Sequence, residues 1–317
     1  MKSILSMIVL SLLCVATFNV ATAQGTATVK AKFNNTDRDR IYFDFMEQSD
    51  ANMEFPYKAG QVLEFMVDID DITMMRINTF VLVVLQPGDE IEIEVDYVGR
   101  NYKDARFKGS SAESVAASEA LNAIRADRLS RRYKTNMPAA MAIQTSPEVF
   151  FKTTKDEWEK EMILLEQYKN RLSEKVYNFV RSDLDAIFIP NLISYPGNQD
   201  QEGYWTALVD YKLRDDDASM ANFSYLGMLN TYMRYTLFKE ANRNGETFNV
   251  FSTLKEEYDA IATFFDGKLR DGALMVFIYS SLASGKDFDT LEALFEDYVK
   301  KYNLNPRYKR LLMDVMK

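Results

Sequence analysis

Histidine is absent from the 317-residue chain, and the single cysteine, Cys14, lies close to its start. Without imidazole the chain cannot assemble a Ser-His-Asp triad, a His-Glu-x-x-His zinc site or a histidine general base from its own residues. Removal of Cys14 with an N-terminal leader would leave no thiol. That excludes a cysteine nucleophile, a Cys-x-x-Cys redox pair, a thiolate metal site and any disulfide. Neither Gly-x-Gly-x-x-Gly nor the Walker A pattern occurs, so no dinucleotide or nucleoside triphosphate motif is present. The remaining composition, 47% hydrophobic and 27% charged, is that of a globular protein and excludes collagen-like or disordered chains.

The first residues do carry a signal. Lys2 is followed by an apolar stretch from Ile4 to Phe18, diluted by Ser6, Ser11, Cys14 and Thr17, and then by Ala21-Thr22-Ala23. A basic start, an apolar run and a small-x-small site predict a signal peptide over residues 1–23, cleaved after Ala23. The run is shorter than the roughly 20 apolar residues of a membrane span, and the bulky Leu13 before Cys14 argues against a lipoprotein site. Cleavage removes one Lys and no acid, so the net charge moves from −9 to −10. An acidic chain of this kind is unsuited to nucleic acid, which demands a clustered excess of Lys and Arg. The cluster Arg128, Arg131, Arg132 and Lys134 reads as a solvated helix face. No second stretch reaches spanning length. The expected location is periplasmic or secreted, with no membrane span in the mature chain.

Two periodicities divide the mature chain. From Gly25 to Gly109 apolar residues recur every second position: Ile41, Phe43 and Phe45; Phe65, Val67 and Ile69; Ile91, Ile93 and Val95. These are half-buried strands. Phe80 to Leu85 is continuously apolar, as befits a strand covered on both faces, and Pro87-Gly88-Asp89 supplies a turn. Beyond Gly109 the period is helical. Trp158, Met162, Leu165, Tyr168, Leu172, Val176 and Phe179 are spaced for one helix face. Ser146-Pro147, Thr154 with Glu157, Thr253 with Glu256, Asp289 with Glu292 and Asn305-Pro306 read as helix starts; Asn244-Gly245, Gly267 and Gly285 read as stops. Pro196-Gly197-Asn198 and Asp215-Asp216-Asp217 read as turns. A last helix from Pro306 to about Met316, with Tyr308, Leu311, Leu312 and Val315 in one stripe, reads as a docking element that completes the fold. The expected fold class is α+β: an antiparallel β-sandwich over 24–110 and an all-α domain of about seven helices in successive hairpins over 111–317.

Carboxylates, Tyr, Lys, Ser and Arg are the chemistry that remains. A glycosidase can run on two acids, but Asp68 with Asp70, and Glu90, Glu92, Glu94 and Asp96, read as the solvated face of a sheet. Asp215 to Asp217, and Asp200 with Glu202, do not have the spacing of a calcium loop. Tyr204-Trp205 can stack on a sugar but reads as packing, and Met74, Met75, Met220, Met228 and Met233 read as core filler.

The run Leu85-Gln86-Pro87-Gly88-Asp89-Glu90-Ile91-Glu92-Ile93, followed by Phe107-Lys108-Gly109-Ser110-Ser111-Ala112 and a helical pattern, resembles the N-terminal part of periplasmic TlpA-type thioredoxin-like thiol-disulfide oxidoreductases. The resemblance implies a β-sandwich and helical segment of the kind that precedes a thioredoxin domain in that family. The chain reaches Lys317 about where the catalytic domain begins there, and no functional residue carries over. These readings lead to an exported, non-catalytic binding or accessory protein of the cell envelope that recognises a protein or peptide partner through its helical half or a sheet edge. No catalytic, cofactor-binding or metal residue is nominated. The alternatives are an accessory part of a thiol-disulfide system, acting with a separate thioredoxin-like protein, and a carboxylate glycoside hydrolase.

Overall fold

The computed structural model describes residues 25–130, 146–193, 211–246, 251–285 and 287–316. The expected leader with Cys14, residues Arg131, Arg132 and Lys134, the Pro196-Gly197-Asn198 turn, Asp200, Glu202, Tyr204 and Trp205 lie outside the described residues.

Eight strands come first. The outer sheet holds β1 (Gly25–Thr36), β4 (Val62–Ile69), β7 (Glu90–Gly99) and β8 (Asn101–Gly109) in the order β4-β1-β7-β8. The inner sheet holds β2 (Arg40–Phe45), β3 (Met53–Pro56), β5 (Thr73–Ile77) and β6 (Val81–Leu85) in the order β3-β2-β5-β6. All ladders are antiparallel except β1 with β7, which run parallel with Val29 opposite Ile91. The predicted alternations place Ile41, Phe43, Phe45, Phe65, Val67, Ile91, Ile93 and Val95 between the sheets. The Phe43 and Phe65 rings meet edge to face at 4.8 Å across that core. Gly109 pairs with Ile91 at the end of the β7–β8 ladder, where a Cβ would collide with the Glu90 carbonyl oxygen. The Phe107-Lys108-Gly109 run therefore needs glycine for close backbone approach.

Nine α-helices follow among the described residues: α1 (Ala112–Ser130), α2 (Pro147–Glu166), α3 (Glu174–Ile193), α4 (Asp217–Ala221), α5 (Phe223–Arg243), α6 (Leu254–Phe264), α7 (Gly267–Ala283), α8 (Phe288–Lys301) and α9 (Pro306–Val315). Ser146 accepts from the Val149 N–H, Thr253 from Glu256 and Asn305 from Arg307, as their cap signals predict. Others correct the reading. Thr154 lies inside α2, its hydroxyl donating to the Phe150 carbonyl at 2.8 Å. The cap of α8 is Asp287 rather than Asp289, Gly267 begins α7 instead of ending α6, and Asp216 caps α4 by accepting from the Ser219 N–H. The stripe from Trp158 to Phe179 is shared by α2 and α3. The chain turns between them through a 3-10 turn at Lys169–Arg171, and Ser173 restarts the helix by accepting from the Val176 N–H at 3.3 Å. Helix α7 is central, packing on α5, α6, α8 and α9. Its Gly272 lies against Leu226 of α5, where a Cβ would clash with the side chain.

The β5–β6 half of the inner sheet is buried on both faces, whereas Arg40 and Tyr42 of β2 and Glu54 of β3 stay exposed. Met75, Ile77 and Val83 face the sandwich core, whereas Met74 and Val84 face Ala117, Leu121, Val176, Phe179 and Leu184 of α1 and α3. Burial of β6 leaves its edge N–H and C=O groups in need of partners, and α1 supplies them. Asn122 donates to the Leu82 carbonyl at 2.6 Å and accepts from the Leu82 N–H at 3.2 Å; Ser118 accepts from the Val84 N–H at 3.0 Å; Ser114 accepts from the Gln86 side chain at 3.3 Å. The fit is geometric. Four helical residues rise about 6.0 Å and two strand residues about 6.6 Å, so positions 114, 118 and 122 keep step with 86, 84 and 82.

Glu47, buried at the join of sheet and helices, is the second tie. Its carboxylate accepts from the Met74 N–H at 2.8 Å, the Thr73 hydroxyl at 2.9 Å and, at 3.4 Å, the N–H of Phe223 at the start of α5. Arg307 of α9 donates to its backbone carbonyl at 3.2 Å.

Both ties set expectations for stability. Asn122→Ala strips both partners from Leu82 and lowers stability by about 2–3 kcal/mol, against about 1 kcal/mol for Ser118→Ala; urea unfolding of both variants reads the difference. Burial raises the Glu47 carboxyl from 4.5 to about 7. The folded state therefore holds a proton that the unfolded chain releases, and the resulting stability is full below about pH 4.5 and lost as pH rises through 7. Glu47→Gln cannot titrate there. The melting temperature of the wild type minus that of the variant decreases steadily between pH 4.5 and 8; a flat difference contradicts the assignment.

Candidate functional site

The acids singled out in the sequence lie apart from one another in role. Glu90, Glu92, Glu94 and Asp96 face outward from β7, and Asp68 from β4. Glu94 and Asp96 share the Asn34 amide and the Arg106 guanidinium, which bonds Asp96 at 2.7 Å. The Asn34 hydrogen bond holds Glu94, and the Arg106 hydrogen bond holds Asp96, below the usual carboxylate range. A glycosidase acid needs the opposite shift. Asp68 accepts from Thr26, Asp70 pairs with Arg310, and Asp217 pairs with Lys268. A hollow of about 340 Å³ on this outer sheet is lined by Lys30, Lys32, Glu94 and Arg106, whose charges are already paired with neighbouring strands. Among the described residues no group of three or more acids stands close enough to hold a metal ion. Met74, Met75, Met220, Met228 and Met233 are buried in the cores, in keeping with their role as filler.

A different place draws chemistry together. Between the inner sheet and the helices lies a cavity of about 290 Å³, to which β5, β6, α1, α3 and α5 all contribute. The face of α1 that lines it carries Leu121, Ile124, Arg125 and Arg128, spaced by three, one and three along one helical stripe. The apolar face that packs α1 on the sheet thus continues into two arginines. From β5 comes Arg76. Met75 and Ile77 point into the sandwich, so alternation turns Met74 and Arg76 toward the helices. Helix α3 adds Asp183, Leu184 and Ile187, and Ser224 lies in the first turn of α5.

The three arginines are not equivalent. Arg128 donates through Nε and Nη2 to Glu161 of α2, at 2.7 and 2.6 Å, and Glu161 is only 1% exposed. Burial works against the Arg128 charge, but this two-point bond holds its pKa above the ordinary value. Arg128 therefore belongs to an interior ion pair, not to the solvated face expected of it. Arg76 and Arg125 have no carboxylate hydrogen bonded to them among the described residues, and the buried Nε of Arg76 has no partner. Arg125 lies over the Phe80 ring at 5.7 Å; burial, then the Arg128 charge, lowers its pKa, with Arg76 adding to the effect. Burial pushes the Asp183 carboxyl up to about 6, against a hydrogen bond accepted from Ser224 and the nearby charges of Arg128 and Arg76.

The rim stores strain as well. Thr79, in the β5–β6 turn, lines the cavity with φ of 65°, next to Asn78 at 48°. A β-branched residue in the left-handed region is costly. Here Asn78 offsets the cost by holding three strands: it accepts from the Tyr42 N–H at 3.1 Å and donates to the Tyr97 hydroxyl at 3.3 Å.

The sequence reading missed this site because its residues come from five distant segments. Two local signals point to it: an arginine in Thr73-Met74-Met75-Arg76-Ile77, a strand otherwise buried throughout, and an apolar stripe on α1 that ends in Arg125 and Arg128. No family model, no curated protein and no solved structure matches this chain.

The unequal pairing gives opposite expectations for two similar substitutions. Arg76→Met removes a half-buried guanidinium whose Nε has no partner and, net of its attraction to Asp183, raises stability by about 1 kcal/mol. Arg128→Met leaves Glu161 buried without its partner and lowers stability by about 2–3 kcal/mol, less than for a fully buried pair because Arg128 keeps some contact with water. Chemical denaturation of the two variants checks the sign of each.

Proposed function

We propose that this chain is an exported, non-catalytic binding protein of the cell envelope that recognises a protein or peptide partner at the arginine-lined cavity between its sheet and its helices. The single observation that carries the reading is the presence of two half-buried guanidiniums, Arg76 and Arg125, with no carboxylate hydrogen bonded to either among the described residues. Charge kept in such a place at a cost to stability is the mark of a group held for a ligand. The absence of histidine throughout, and of cysteine beyond position 14, favours recognition over covalent or general-base chemistry. The pattern of residues 1–23 supports export. Among the described residues no helix is long and apolar enough to cross a membrane. The likeness of the Leu85–Ile93 run to the TlpA type makes a separate thioredoxin-like protein one partner to include in binding assays.

The test is capture from envelope extract by the purified mature chain, compared with an Arg76→Met/Arg125→Met double variant of equal or higher melting temperature. A specific protein retained by the wild type and reduced at least tenfold on the variant is the expected outcome. No capture, or capture indifferent to both arginines, contradicts the reading.

A further inference from the structure

The cavity has a composition specific enough to select a chemical class of ligand, and that selection rests on the binding role proposed for the chain. Five ionisable side chains determine its charge. Arg76, Arg125 and Arg128 are positive; Arg128 is offset by its ion pair with Glu161, and the Asp183 carboxylate leaves one net positive charge. Arg128 and Glu161 satisfy each other at two points, so the charge open to a ligand belongs to Arg76 and Arg125. These two arginines lie close enough for each to feel the other, and a guanidinium presents donors in a planar fork that suits an oxyanion. A dianion is disfavoured by the Asp183 carboxylate on the same wall and by a surplus of only one charge.

Apart from Thr79 and Ser224, the rest of the wall is apolar. Leu121 and Ile124 on α1 face Leu184 and Ile187 on α3, with Met46 and Leu82 at the sheet. A volume of about 290 Å³ lies just below the usual range of ligand pockets, about 300 to 1,000 Å³. It has room for one aliphatic amino acid residue and is too small for a sugar chain.

We infer that the cavity takes a carboxylate carried on a short aliphatic group, with the carboxylate between Arg76 and Arg125 and the aliphatic part against Leu121, Ile124, Leu184 and Ile187. The free C-terminal residue of a peptide ending in leucine, isoleucine or valine has this chemistry, and so does a small free aliphatic acid. Burying the aliphatic group supplies affinity, and the paired arginines supply the requirement for charge.

Isothermal titration calorimetry on the full mature chain tests this with matched probes: a pentapeptide ending in leucine as the free acid, the same peptide as the C-terminal amide, N-acetyl-leucine, N-acetyl-leucinamide and inorganic phosphate. The acids bind at least tenfold more tightly than their amides, and phosphate binds more weakly than N-acetyl-leucine. Arg76→Met and Arg125→Met each weaken acid binding at least tenfold. If the peptide acid binds well above N-acetyl-leucine, the source is a chain terminus; if the two are equal, it is a free acid. Equal binding of acid and amide, no binding of either acid, or a preference for phosphate overturns the inference. The acid and amide comparison on the wild type stands even where a variant fails to fold. Partner capture that depends on the two arginines without any difference between acid and amide would sink this inference alone and leave the binding role intact.

Discussion

Strands β5 and β6 of the inner sheet have no face left for water, and most of the molecule is shaped by that constraint. A sheet in a sandwich ordinarily buries one side and wets the other, which is how the outer sheet behaves, with its Lys30, Lys32, Glu94 and Arg106 face. The inner sheet instead offers Met74 and Val84 on its second side, and α1 and α3 cover them. Covering β6 would strand its edge backbone, so α1 carries Ser114, Ser118 and Asn122 at four-residue spacing where an amphipathic helix would otherwise carry more apolar residues. The strands and helices are consequently joined by a core and by specific polar bonds, and Glu47 repeats the arrangement at the start of α5.

That join also explains where the candidate site lies. Packing a helix pair on a twisted sheet leaves a gap toward one end, where the surfaces diverge. In this molecule the gap is lined by the continuation of the packing stripes, and the continuation is cationic: Arg76 on β5, Arg125 and Arg128 on α1. One of the three is neutralised by Glu161 and serves the fold. The other two have no carboxylate hydrogen bonded to them among the described residues, and the strained turn at Asn78 and Thr79 beside them is retained by hydrogen bonds to neighbouring strands.

Much of the secondary structure was legible from single residues. Alternation at Ile41, Phe43 and Phe45, or at Ile91, Ile93 and Val95, states a strand and its buried face together, because the side-chain period of a strand is two. Caps at Ser146, Thr253 and Asn305 were readable since a cap is a bond between near neighbours. The misreadings arise where local spacing has more than one structural solution. Thr154 looked like a cap but bonds back to Phe150 within α2, and the seven-residue stripe from Trp158 to Phe179 kept helical spacing across a break, because a 3-10 turn preserves phase closely enough to hide it. β5 lacked clean alternation for the reason that makes it interesting: both of its faces are covered.

The sequence by itself determined the α+β class, the change from period two to helical period near Gly109, and the lack of imidazole and, past position 14, of thiol, because these depend on residue identity and local spacing. The tertiary structure alone decided that Arg76, Arg125, Arg128, Asp183 and Ser224 share one cavity. Those residues are brought together by burial of apolar surface on the strands and helices that bear them, a force without direction along the chain, so no spacing between them announces the meeting.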